Sequence, residues 1–250
     1  MTTLNAIVSA GPFKDILKGL EILNEQAVFE FDSSGMTIKC LDNDCTAVLR
    51  IKADSTLFQH YSFESSQSPL KLGIVLDRLK DITKTLTVKD LVALDYDSAE
   101  PQQLTISANG ICRTARLVKL DLIKQVSKLP SPTDGFKFSG VVATKGLKDF
   151  VRTIPDAVQE FKLIAGAKHL YFRAMHGEEP IEWNPQPTDW VVEKDSVVTF
   201  TVAKVKDVLH AAKKSEATIM GGEELPLRIE WTQTEGLDFT AVVAPRTTKG

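Results

Sequence analysis

From residue 12 to 23 the apolar side chains Phe13, Ile16, Leu17, Leu20 and Leu23 recur at helical spacing behind the breaker pair Gly11-Pro12, which predicts a helix over 12–23. The period then changes. Ala27 to Asp32 alternates, Ser33-Ser34-Gly35 is turn-forming, and Met36 to Asp42 alternates again, so a β-hairpin is expected, followed by a strand from 46 to 53. A strand at 70–76, a helix at 77–86 and strands at 91–96 and 103–108 complete the first half. From Phe136 the order restarts: strand 136–143, helix 145–154, strands 161–164, 169–175 and 197–201, helix 202–213, and strands 225–232 and 237–243.

The four predicted helices carry one motif. An apolar residue, Lys-Asp and a second apolar residue are followed by a basic or imidazole side chain four places after the lysine, at Phe13 to Lys18, Leu79 to Lys84, Leu147 to Arg152 and Val205 to His210. Positions i and i+4 lie on one face of a helix, so each copy predicts a two-residue positive stripe opposite an apolar one. The Asp lies about 100° around from its Lys and need not neutralise the stripe. Lys89-Asp90 and Lys194-Asp195 lack the basic residue at i+4 and are incidental. The first helix pair is offset by 134 residues and the second by 126, a difference that loop-length changes absorb.

This duplication predicts an α+β protein of two similar domains, 1–117 and 135–250, joined by a linker at 118–134 that lies on a surface. Two helices cannot cover both faces of so many strands, so each domain is expected to be antiparallel sheet with its helices on one face. Open sheet edges in such a protein favour edge-to-edge closure into a ring.

Composition changes the picture in one respect. With 30 Lys and Arg against 33 Asp and Glu the net charge is −3, yet the helical windows 12–23, 78–90, 145–160 and 202–216 hold 13 basic and 9 acidic residues. The helices are therefore the basic part of an acidic chain, an arrangement suited to phosphate. Cys40, Cys45 and Cys112 form no Cys-x-x-Cys pair and are expected as reduced thiols in packed strands. No apolar run approaches a membrane span, and the N-terminus lacks a basic region followed by an apolar one, so an intracellular protein is expected, nuclear in a eukaryote or cytoplasmic in an archaeon.

Catalytic chemistry finds little footing. There is no Gly-x-Ser-x-Gly elbow and no phosphate-binding Gly-x-x-x-x-Gly-Lys-Ser/Thr loop, and Met220-Gly221-Gly222-Glu223 reads as a turn. The four histidines show no His-x-x-x-His spacing. Asp42 with Asp44, or Glu223 with Glu224, read as loop charge, and Trp183 and Trp190 as anchors of a proline-flanked loop. No enzyme activity, metal or cofactor is expected; an unrecognised acidic active site is the alternative outside the binding class.

The opening helix Phe13 to Leu23, the hairpin Phe29 to Met36, the Leu41-Asp42 step, the Leu72-Gly73-Ile74 strand and the ending Val242-Val243-Ala244-Pro245-Arg246 resemble the DNA sliding clamps of the proliferating cell nuclear antigen family, across nearly the whole chain. The resemblance implies a trimeric ring, homotrimeric or heterotrimeric, whose helices surround double-stranded DNA. It further implies docking of a DNA polymerase, clamp loader, flap nuclease and ligase through short peptides, and no catalysis. A checkpoint-type clamp subunit is the rival within the same fold.

Carried over by position, the resemblance makes Lys14, Lys84, Arg152 and His210 the DNA-facing residues, with Lys18, Lys80, Lys148, Lys206 and Lys213 as further basic groups. His210 departs from the family's lysine, and an ordinary histidine is mostly neutral at pH 7. The partner-peptide pocket falls on Leu41, Cys45, Thr46, Val48, Val126, Leu129, Pro130, Val242, Ala244 and Pro245. Subunits are expected to pair a strand near 108–117 with one near 173–182 of the next chain, the latter shortened by Pro180, Pro185 and Pro187.

Overall fold

A computed structural model describes residues 1–65, 69–126, 129–131, 135–213 and 216–246. Residues 127–128 and 132–134 of the expected linker lie outside that set. The chain divides into two compact units, the first comprising Met1–Asn43, Leu49–Val126 and Thr234–Phe239, the second the remaining described residues.

In order, the first unit carries β1 (Thr2–Ser9), α1 (Ala10–Leu20), β2 (Gln26–Asp32), β3 (Gly35–Leu41), all but the first two residues of β4 (Ala47–Asp54), β5 (His60–Ser65), β6 (Leu70–Val75), α2 (Leu76–Thr83), β7 (Leu91–Asp97), β8 (Gln103–Ala108) and β9 (Ile111–Arg116). One sheet runs β5-β1-β7-β8-β9; β4, β3, β2 and β6 are neighbours in another. Alternation aims Leu4, Ala6 and Val8 of β1 inward, and Leu4 sits opposite Phe63 on one side and Tyr96 on the other. Ala10 and Gly11 at the start of α1 donate their N–H groups to the Asp90 and Val88 carbonyls, 2.8 and 3.1 Å away, in the chain leaving α2. The two helices are therefore antiparallel neighbours.

The second unit has the same plan: β10 (Phe138–Ala143), α3 (Thr144–Thr153), β11 (Glu160–Gly166), β12 (His169–His176), β13 (Glu179–Trp183), β14 (Thr188–Val192), β15 (Ser196–Thr201), α4 (Val202–Val208), β16 (Glu216–Gly221), β17 (Leu227–Thr234) up to Gln233, and β18 (Leu237–Val243) from Thr240. Its sheets run β13-β12-β11-β15 and β14-β10-β16-β17-β18. Phe150 of α3 meets Phe161, Phe172 and Trp183, with ring centroids 5.6, 5.8 and 6.5 Å apart. Gly146 makes room for this, since a Cβ there would lie 2.6 Å from the Trp183 ring. The expected α+β duplication with antiparallel sheets and helices is what the structure has.

Several expectations need correction. α1 begins at Ala10, ahead of Gly11-Pro12, because Pro12 falls in the first turn, where no helical N–H is needed. α4 stops at Val208 and not at 213: His210 and Ala212 donate to carbonyls three residues back, a tightened turn that closes the helix. Met220 and Gly221 belong to β16, and the turn falls at 222–225, where Leu225 N–H donates to the Gly222 carbonyl. Of the cysteines only Cys40 is packed, its thiol pushed up to about 12 by burial; Cys45 and Cys112 are exposed. Trp183 and Trp190 are strand residues, and the Trp190 Nε1–H donates to the Gly166 carbonyl at 3.0 Å.

Among the expected pairing segments, β9 is an outer strand of its sheet, with Ile111 and Cys112 exposed. Arg173 to His176 are internal, in β12; the outer strand is β13, where Pro180 sits opposite Met175 without breaking the ladder. Proline is tolerated there because an edge strand leaves one set of N–H groups unused. The linker expectation can be followed at its start: Val118 N–H donates to the Gly73 carbonyl at 2.8 Å, and a Cβ on Gly73 would lie 2.4 Å from the Val118 carbonyl oxygen. Only glycine lets the chain lie this close to β6.

Candidate nucleic-acid interface

Each basic helix is amphipathic. In α1, Phe13, Ile16, Leu17 and Leu20 are buried; in α3, Leu147, Phe150 and Val151. What remains outside is the lysine motif, but its two basic residues differ. Lys14 is half-buried and its Nζ donates to the Leu86 carbonyl, just beyond α2. Lys18, one turn on, is exposed and makes no ion pair among the described residues. In α3 the half-buried Lys148 donates its Nζ to the Ala212 carbonyl, just beyond α4, while Arg152 is exposed and likewise makes no ion pair among the described residues.

The second helix of each unit answers the first. Lys80 Nζ lies 2.7 Å from a carboxylate oxygen of Glu21, at the C-terminal end of α1, and the hydrogen bond to Glu21 raises its pKa. Lys206 Nζ lies 3.8 Å from a carboxylate oxygen of Asp156, three residues past α3. Lys84 Nζ is 3.3 Å from Asp81, which also accepts from Arg113 Nη1 of β9 at 2.9 Å. These two partners, Arg113 first, lower the Asp81 pKa. In this copy the motif aspartate does neutralise the stripe, because its i+3 partner Lys84 bends back to it. His210 is half-buried on the turn after α4, off the helical face assumed for it, and Lys213 is exposed, with its N–H donating to Gln233 Oε1 at 3.2 Å.

Arg113, Glu21 and Asp156 were not among the expected site residues. The signal was present, since Glu21 and Asp156 each follow the first helix of their half at nearly the same repeat offset.

The residues expected for peptide docking have the following places. In the first unit, Leu41 ends β3, half-buried, its carbonyl accepting from Asn24 Nδ2 at 3.0 Å, and Val126 is half-buried. In the second, Cys45 is exposed with φ of 59°, and the Thr46 carbonyl accepts from Ala244 N–H at 2.8 Å. Val48 and Val242 are buried, Ala244 is exposed, and Leu129, Pro130 and Pro245 are half-buried. The Pro130 carbonyl accepts from the buried Arg228 guanidinium. Among the described residues no group of three or more His, Cys, Asp or Glu is placed to hold a metal ion.

Solved structures share this fold. The chain superposes on A. fulgidus PCNA bound to the C-terminal region of FEN-1 with a TM-score of 0.85 at 17% identity, covering 99% of this chain and 100% of that one. It also superposes on Thermococcus kodakaraensis PCNA with a TM-score of 0.83 at 20% identity, covering 97% and 100%. In sequence, the family model for the proliferating cell nuclear antigen N-terminal domain matches residues 4–127. The DNA polymerase sliding clamp of Natronomonas pharaonis is 26% identical over 249 residues, 96% of this chain and 97% of that protein. That of Haloarcula marismortui is 26% identical over 251 residues, 97% and 98%. Sequence and fold both match the proliferating cell nuclear antigen family of DNA sliding clamps.

Within the proliferating cell nuclear antigen fold the basic helices come as two antiparallel pairs, one per unit. Lys14 and Lys148 are half-buried against a carbonyl of the neighbouring helix's end, Lys80 and Lys206 are exposed in ion pairs with Glu21 and Asp156, and Lys18, Arg78, Lys145 and Arg152 are exposed. Such a surface can attract a polyanion weakly without reading it, since nothing in it is arranged to address base edges.

Proposed function

We propose that this chain is a DNA sliding clamp: a ring-forming protein that encircles duplex DNA, holds a polymerase to its template and serves as a docking platform. The observation that carries this reading is the duplication of a basic helix pair in two units of the same plan, within a chain of net charge −3. Contact with DNA is phosphate-directed, loose and salt-sensitive, and retention comes from enclosure. A loader opens the ring, and the polymerase, a flap nuclease and a ligase dock through short apolar-anchored peptides on the surface of the second unit that includes Cys45, Ala244 and Pro245. The outer strands β9 and β13 join neighbouring subunits into a trimer, of identical chains or with related clamp subunits; the five-residue β13 with Pro180 offers a short pairing surface. The protein acts inside the cell, where replication takes place.

Processive synthesis tests this reading. On a singly primed circular template, with loader and polymerase of the same organism, wild-type protein is expected to lengthen the products of one binding event at least tenfold. The Lys18→Glu/Arg152→Glu variant keeps its fold and loses most of that gain. Product lengths that do not change on adding wild-type protein would rule out a processivity role.

A further inference from the structure

The four leading lysines of the motif occupy two sets of equivalent contacts. Lys14 to the Leu86 carbonyl in the first unit corresponds to Lys148 to the Ala212 carbonyl in the second; the donors are 134 residues apart and the acceptors 126, the offsets of the first and second helix pairs. Lys80 to Glu21 corresponds to Lys206 to Asp156, with donors 126 apart and acids 135 apart. In each unit the first helix's half-buried lysine ties down the chain leaving the second, and the second helix's lysine makes an exposed ion pair with an acid that follows the first, at 2.7 Å in the first unit and 3.8 Å in the second.

The acids need an explanation that surface charge alone does not supply. A carboxylate at or just past a helix C-terminus faces the negative end of the helix dipole and is disfavoured there. Glu21, the C-cap of α1, takes that position; Asp156 lies three residues past α3, fully exposed, beyond the last turn. The lysine of the partner helix offsets the cost, and that pairing exists only when the helices lie antiparallel and in register. The carbonyls of Leu86 and Ala212 are likewise ends of chain turning away from a helix, where acceptors lack an intrahelical donor.

We infer that the motif divides labour on the first helix of each unit: Lys14 and Lys148 are positioning residues that tie the helix pair together, and the phosphate-contacting cations are Lys18 and Arg152, equivalent at a spacing of 134 residues. This rests on the sliding-clamp reading and reassigns the DNA contacts within it. A half-buried ammonium spent on a carbonyl presents little charge outward, whereas the exposed cation one turn later, in the last turn of α1 or α3, is favoured there by the dipole. Among the trailing positions of the second helices, Lys84 shares Asp81 with Arg113, and His210 sits on a closing turn.

Two double variants of the full chain separate the roles, Lys14→Met/Lys148→Met and Lys18→Ala/Arg152→Ala. The readouts are the thermal midpoint and the slope of log affinity against log salt for a fluorescent linear duplex. The leading-lysine variant is expected to lose about 3 °C per tie and to keep the wild-type slope, and Lys14→Arg/Lys148→Arg recovers the midpoint. The trailing variant keeps the midpoint and loses about 0.9 of slope per phosphate contact removed. Equal slope loss in both variants, or an unchanged midpoint in the leading-lysine variant, would overturn the division while leaving the clamp reading intact. Wild-type protein with no salt-dependent affinity for duplex would overturn both.

Discussion

Gly35→Ala is expected to remove about 4 kcal/mol of stability, seen as a lower denaturant midpoint at unchanged slope. Gly35 opens β3 at φ of +134°, a conformation that L side chains rarely adopt, and a Cβ there would lie 2.2 Å from the Ala53 carbonyl oxygen, 2.7 Å from Ser55 N and 2.9 Å from Asp54 C. All three are backbone atoms. They cannot rotate away, and moving them would break the Ser55 N–H to Ser34 carbonyl bond of 2.8 Å. The same carbonyl region is pinned from outside the turn, where the Tyr61 hydroxyl lies 2.7 Å from the Gly35 carbonyl and 2.6 Å from that of Asp32. Gly110→Ala is the control: its φ is +77°, but nothing lies within 4 Å of the new methyl, so only backbone strain of about 1 kcal/mol is expected. An equal loss for the two variants would contradict tight backbone packing around the β2–β3 turn.

Arg228→Ala is expected to cost about 3 kcal/mol, the second largest effect. The Arg228 side chain is 6% exposed; its Nε donates to Glu230 Oε1 at 2.9 Å, its Nη2 donates to the same oxygen, and its Nη1 donates to the Pro130 carbonyl. Truncation leaves that carbonyl without its donor and Glu230 without its counter-charge. Glu230 is about a third exposed, so water recovers part of the loss, which places the estimate at the lower end of the range for broken buried pairs. Because Pro130 is among the residues assigned to peptide docking, the variant is also expected to weaken an apolar-anchored peptide more than it weakens duplex binding, as isothermal titration with each would read.

The sequence carried the repeat plainly, because a helical stripe of Phe13, Ile16, Leu17 and Leu20 and an alternating hairpin are local signals. It did not carry β1. Thr2–Ser9 alternates correctly, but its inward residues Leu4, Ala6 and Val8 are modest in size, and the strand exists through ladders to residues some 60 and 90 positions away. The end of α4 was missed for the opposite reason. Ala211 and Ala212 are buried and continue the apolar pattern, although the backbone has already left the helix. Burial sets the pattern, and a turn can be buried too.

For the site, residue type and spacing gave the basic helices but not the roles within them. Lys14 and Lys18 look alike in a helical projection. Which one faces solvent depends on the carbonyl of Leu86, a residue 72 positions from Lys14, and no local pattern encodes that distance. Glu21 was the legible clue, since an anion at a helix C-terminus runs against the dipole and asks for a partner.

Encirclement is tested most directly by topology. Protein loaded by its loader onto a nicked circular duplex, freed of unbound chain and then treated with an enzyme that cuts the circle once, is predicted to remain on the circle and to leave the linear product within minutes. Equal retention on circular and linear DNA would contradict the account, because a protein held by contacts rather than by enclosure does not respond to an end.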